Sequence, residues 1–153
     1  MKQKGISNVP KSPSQIALSQ KSAKTDPERA AARASVRVDD DSQRTAVAAA
    51  RAALEKKADD VVVLDLRGVS GYTDFLVIGS GQSDRQLEAI AEGVEKELKE
   101  QGHRKVGSEG LRGGRWVLLD FGDVVIHVFH QDERAHYDLE GLWADVPRIE
   151  IGS

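Results

Sequence analysis

The sequence predicts an α+β domain: one mixed β-sheet flanked by helices. Three features lead there. Apolar runs at 60–66 and 75–79 are separated by a short, glycine-containing link and read as an antiparallel pair of strands. Two segments with apolar residues at helical spacing, one starting near Ser42 and one between Ser83 and Gly102, read as amphipathic helices. Two further apolar runs inside Arg115–Phe129 read as a hairpin.

The 153 residues suit one domain with some excess, and 39% apolar against 31% charged residues describes a polar chain that still buries one core. Cysteine is absent, which removes disulfides, thiolate metal sites and cysteine nucleophiles and fits a reducing compartment. No apolar run approaches the roughly 18 residues of a membrane span. A cytoplasmic location is therefore expected, with an organelle matrix as the alternative, and no membrane partner.

The net charge of −3 hides an asymmetry: residues 1–38 hold eight Lys/Arg and two acids, net +6, whereas 39–153 hold fourteen Lys/Arg and twenty-three acids, net −9. Two regions follow, a basic arm (1–38) and a folded domain (39–150). The arm has few large apolar side chains to offset the entropy of ordering, so disorder is expected there. Its charge also fits loose contact with RNA phosphates. A transit peptide would likewise be acid-poor, but the mixed Lys/Arg and the prolines argue against one.

Within the domain, Asp39–Asp41 sit where a helix dipole favours anions, Ser42 is placed to cap, and Val47, Ala50, Leu54 and Ala58 form a modest apolar stripe. The run 60–66 is almost continuously apolar, as in a strand covered on one or both faces. Glycines 68 and 71 mark the turn before the 75–79 strand. Gly79–Asp84 reads as a loop, and Ser83 with Gln86 is a capping-box pattern. Leu87, Ile90, Ala91, Val94 and Leu98 make the second helical stripe, stopped by Gly102. A short strand is expected near 103–110. After the hairpin, Leu139, Leu142 and Trp143 at i, i+3, i+4 predict one short helix, closed by Pro147.

The hairpin leaves its register open. A two-residue turn at Phe121-Gly122 pairs Trp116 with His127 and separates an aliphatic face from a mixed aromatic-polar one. A three-residue loop with left-handed Gly122 shifts the register by one and mixes the sets.

Catalytic readings find little support. Asp120-Phe121-Gly122 spells a kinase tripeptide, but the Gly-rich loop, strand lysine and catalytic-loop aspartate are missing, and turn chemistry explains it. Gly-Ser at 79–80 before a helix suggests a nucleotidyltransferase, whose metal needs two carboxylates two residues apart on one strand; Asp59/Asp60, Asp120/Asp123 and Asp132/Glu133 lack that spacing. No His pair has zinc-hydrolase spacing and no serine lies in Gly-x-Ser-x-Gly, so neither enzyme activity nor a metal or cofactor is expected. His127 reads as a hydrogen-bonded sheet histidine or a partner contact, and Trp116 as core or interface anchor.

The blocks "DLRGVSGYTDFLVIGSGQSDRQ" and "WVLLDFGDVVIHVF" followed by "YDLEGLW" resemble the ribosomal silencing factor (RsfS, or Iojap) family over about residues 45–148. The resemblance implies a mixed sheet flanked by helices, nucleotidyltransferase-like in outline without the catalytic carboxylates. It implies binding to the large ribosomal subunit through ribosomal protein L-fourteen, where the factor blocks joining of the small subunit and represses translation under nutrient limitation. Relatives in organelles act in large-subunit assembly, an alternative role beside a nucleotidyltransferase-like enzyme. Carried over by motif, the partner-binding candidates are Trp116, Leu118, Asp120, Asp123, His127, Tyr137, Leu139 and Trp143, with Gly122 shaping the turn. The basic arm, outside the resemblance, is left a contact with ribosomal RNA. An aromatic sheet face also suits a homodimer of the unbound chain.

Overall fold

The computed structural model describes residues 41–110 and 114–151. The arm expected to be disordered, with Asp39 and Asp40, lies outside them. The elements are α1 (Asp41–Glu55), β1 (Asp59–Asp65), β2 (Phe75–Gly81), α2 (Asp84–Glu100), β3 (Gly107–Glu109), β4 (Trp116–Asp120), β5 (Val124–His130), α3 (Gln131–Tyr137), α4 (Leu139–Leu142) and β6 (Arg148–Ile149). The strands form one six-stranded sheet in the order β3-β4-β5-β2-β1-β6. β2 and β5 pair in parallel at its centre, and every other pair is antiparallel, so the sheet is mixed as expected.

Both faces of this sheet are covered, which explains the unbroken apolar run of β1. Val61 and Val63 turn to one face; Val62, Leu64 and Leu66 turn to the other. β2 is the most enclosed strand, with all seven residues buried. On the first face α1 and α2 pack against Val63, Phe75, Val77, Val117, Leu119, Val124, Ile126 and Val128. On the second, Leu139 and Trp143 cover Leu64, Leu76, Ile78, Trp116, Leu118, Val125 and Phe129.

α2 follows its sequence pattern closely. The buried residues are Leu87, Ile90, Ala91, Val94 and Leu98, the stripe read from spacing. Ser83 Oγ accepts from Gln86 N at 3.1 Å, but the Gln86 side chain accepts from Gln82 N instead of closing the box on Ser83. At the other end Gly102 takes φ +90°, with His103 N donating to Leu98 O and Gly102 N to Lys99 O; this is a complete Schellman stop.

Other expectations are corrected. Ser42 lies inside α1, where its buried hydroxyl meets Asp74 Oδ2 at 3.2 Å, so it is not the cap. The buried face of α1 is Thr45, Ala46, Ala49, Ala50, Ala52 and Ala53, while Val47 and Leu54 are only half-buried. Alanines occupy that face because α1 wedges against both the sheet and α2, and bulkier residues are displaced to the rim. Gly79–Gly81 belong to β2 rather than to a loop. The single C-terminal helix is two, broken at Asp138, whose left-handed backbone (φ +45°) ends α3 while its side chain accepts from Gly141 N to cap α4. The two-residue edge strand β6 gave too short a signal to be read.

Candidate interaction surface

The hairpin register answers the question that turn chemistry left open. Trp116 faces Phe129, Leu118 faces His127 and Asp120 faces Val125. The loop is the two residues Gly122-Asp123, closed by Phe121 N donating to Val124 O at 2.9 Å. Its position is one residue later than the Phe121-Gly122 turn, so every pair moves by two and the side-chain parity is preserved. The aliphatic set (Val117, Leu119, Val124, Ile126, Val128) faces the long helices; Trp116, Leu118, Val125, His127 and Phe129 share the opposite face. Gly122 takes φ +85°, a conformation that favours glycine. Asp120 Oδ1 accepts from Gly122 N at 2.8 Å, an Asx turn that fixes the corner. Asp120 Oδ2 accepts from Tyr72 Oη at 3.4 Å, and the Asp123 carbonyl accepts from both Asp74 N and Phe75 N. The hairpin tip is thereby tied to the start of β2.

Behind the tip lies an aromatic cluster. Trp116 Nε1 donates to His127 Nδ1 at 2.8 Å. Because indole nitrogen only donates, His127 is neutral with its proton on Nε2. Burial pushes its pKa from 6.5 down to about 3. The Trp116 ring centroid lies 4.6 Å from that of Phe129 and 4.3 Å from that of Tyr137.

Burial divides the candidate residues. Trp116, Leu118, His127, Leu139 and Trp143 are each at most 3% exposed, so they shape the surface from beneath. Asp120 and Gly122 are half-buried, Asp123 is exposed, and Tyr137 is 36% exposed over the Trp116 ring. A shallow hollow of about 310 Å³ beside Tyr137 is lined by Gly110, Gly114, Arg115, Trp116 and Glu133. Around it Arg115 Nε donates to Glu133 Oε2 at 3.0 Å, and Arg115 Nη2 lies 3.7 Å from Asp132 Oδ2. From Trp116 to Ile151 the chain holds eight acids and two arginines, so this stretch is acidic.

Sequence reasoning missed three residues that organise the surface: Tyr72, Asp74 and Arg134. Arg134 donates to both carboxylate oxygens of Glu140 at 3.0 Å and to Asp59 O and Ser80 Oγ at 3.2 Å. The Arg134 hydrogen bond holds the Glu140 carboxyl below its usual range, aided by the charges of Arg134 and Arg148 and opposed by burial. The one available signal was an arginine at 134 amid the acids at 132, 133, 138 and 140. Among the described residues no group of three or more His, Cys, Asp or Glu converges as metal ligands, and no helix is long and apolar enough to cross a membrane.

The fold and this surface define a small α+β domain of the mixed-sheet class, with two long helices on one face and a short-helix corner on the other. The chain belongs to the ribosomal silencing factor family: the family model described as "Ribosomal silencing factor during starvation" matches residues 39–153. It is 50% identical over 97 residues to the ribosomal silencing factor RsfS of Halalkalibacterium halodurans, covering 63% of this chain and 83% of that one. It is 45% identical over 103 residues to RsfS of Bacillus subtilis, covering 67% and 87%. A mouse protein named for mitochondrial assembly of the ribosomal large subunit is 37% identical over 92 residues, covering 58% of this chain and 40% of its own length. Among solved structures, a Chromobacterium violaceum protein superposes with TM-score 0.65 at 38% identity, over 72% of this chain and 92% of that one. A Bacillus halodurans protein gives 0.60 at 46%, over 71% and 95%.

Proposed function

We propose that this chain is a translation repressor that binds the large ribosomal subunit through ribosomal protein L-fourteen and so occupies the space the small subunit needs, acting when nutrients are scarce. One observation carries the reading: Tyr137 is exposed above a preorganised aromatic cluster, with Asp132 and Glu133 on the same short helix. A rigid aromatic anchor with an acidic rim suits a basic protein surface; the ring supplies affinity and the charges speed encounter. Buried Trp116, Leu118, His127, Leu139 and Trp143 act by holding that surface in shape. The mechanism is steric occupancy, with no bond made or broken, and repression follows the factor's concentration against its Kd. The basic arm adds salt-sensitive contact with ribosomal RNA.

Co-sedimentation tests this directly. The full chain is expected with separated large subunits and not with joined ribosomes, and adding it before small subunits should lower the joined fraction. Equal binding to joined ribosomes would overturn the reading. Removal of residues 1–38 should leave most of the affinity. The mouse relative's name supports a second role in large-subunit assembly. That role predicts precursor particles accumulating on depletion, with joining of mature subunits unaffected.

A further inference from the structure

Buried Leu139 and Trp143 anchor the α4 end of the corner, but α3, which carries Tyr137, has little of its own to hold it. α3 is seven residues long and none of them is buried. Isolated helices shorter than about 12 residues are marginal in water. Its connection to α4 passes through Asp138 in the left-handed region. Besides the Tyr137 ring contacts and the Arg115–Glu133 pair, one guanidinium fastens α3 to β1, β2 and α4. The Arg134 side chain is only 12% exposed, and its four hydrogen bonds reach three other elements: the fork to Glu140 in α4, Asp59 O at the start of β1, and Ser80 Oγ near the end of β2. Around this guanidinium lies the larger hollow, about 760 Å³, whose lining includes Asp59, Ser80, Arg134, Asp138, Glu140 and Arg148. From α3 it is lined by Gln131, Arg134 and the single methyl of Ala135, so the Arg134 bonds reach across an open space.

We infer that Arg134 is a positioning residue for partner binding: by fixing α3 and α4 to the ends of β1 and β2, it sets where Tyr137 and the acids of α3 are presented. This rests on the reading of the Tyr137 surface given above. The planar fork is essential to the role. A lysine keeps the charge but supplies one point of contact, and it cannot span Glu140, the Asp59 carbonyl and Ser80 together.

The test is a mutant cycle on the full chain, with purified large ribosomal subunits as the probe. Arg134→Gln and Arg134→Lys should each weaken binding about tenfold, because a coupling of that size is usual for residues joined in one network. In a Tyr137→Ala background the same changes should have little further effect. Hydrogen exchange should accelerate in α3 and α4 alone, with the global unfolding midpoint nearly unchanged. Glu140→Gln repeats the cycle from the other end of the fork should the Arg134 variants fold poorly. Full binding by Arg134→Lys would overturn the inference by reducing the role to charge, and additive losses with Tyr137→Ala would overturn it by showing a separate contact. If the unaltered chain does not bind large subunits, the reading of the surface fails instead. The exchange measurement then decides alone: unchanged protection in α3 and α4 would overturn the positioning role.

Discussion

The two faces of the sheet are covered in opposite ways. On one, α1 and α2 lay alanines and an aliphatic stripe on aliphatic strand residues, and apart from Ser42 on Asp74 and Thr45 the contact is apolar. On the other, the covering chain is two short helices separated by a left-handed aspartate, resting on aromatic rings and on the Arg134 fork. The first arrangement stores stability in area removed from water, which is insensitive to small displacements. The second adds to the burial of Leu139 and Trp143 a set of directional bonds and ring contacts, which define a surface position closely but tolerate little change. The stiff, apolar face supports the fold; the polar, aromatic face presents side chains outward.

Four experiments would break or sharpen that contrast. The largest effect is expected on the helical face. Ile90→Ala removes a fully buried side chain at the centre of α2, and should cost about 2–5 kcal/mol in denaturant unfolding. The remaining folded molecules should bind partner normally; a binding defect at full folding would blur the division between the faces.

On the aromatic face Trp116→Phe keeps a ring but deletes the donor to buried His127. An unsatisfied buried acceptor costs about 1–3 kcal/mol. An unfolding free energy equal to the parent's would mean that the Trp116–His127 bond contributes nothing.

Acid should act through the same pair. The folded pKa of His127, about 3, lies below its reference value of 6.5, so only the unfolded chain takes up this proton as pH falls between those values. The contribution from neutral His127 is complete above pH 6.5 and declines toward pH 3, by at most about 1.4 kcal/mol per pH unit. His127→Gln keeps an acceptor without a titrating ring. Unfolding midpoints of the two proteins, compared from pH 7 to 4, should converge as pH falls; parallel curves would refute the assignment.

Tyr137→Ala should have the smallest effect on stability, under about 1 kcal/mol for a largely surface position. It should nonetheless weaken partner binding about tenfold or more, as loss of an aromatic anchor does. Binding that survives in full would move the interface away from this corner.

How much of this was legible in advance also differs between the faces. The stripe of α2 and its glycine stop were read residue by residue, because helical periodicity and the Schellman geometry are local properties of the chain. The aromatic-polar character of the Trp116–Phe129 face was read as well, because strand alternation survives any even shift of register. The turn position was not, since Gly122-Asp123 was chosen over Phe121-Gly122 by bonds from outside the hairpin, from Tyr72 to Asp120 and from Asp74 and Phe75 to Asp123. Arg134 was passed over for the same reason: two of its four bonds go to atoms more than fifty residues away and the other two to the far side of a helix break.

By itself, then, the sequence determined the mixed α+β sheet, its two long helices, the alternation that separates the two faces, and the family to which the chain belongs. These follow from periodicity and from motifs, which are written along the chain. Tertiary structure alone decided which aromatic residues are buried and which one is exposed, where the hairpin turns, and that Arg134 ties α3 to α4 and to the ends of β1 and β2. Burial and long-range hydrogen bonds depend on what folding brings together, and no local pattern records that.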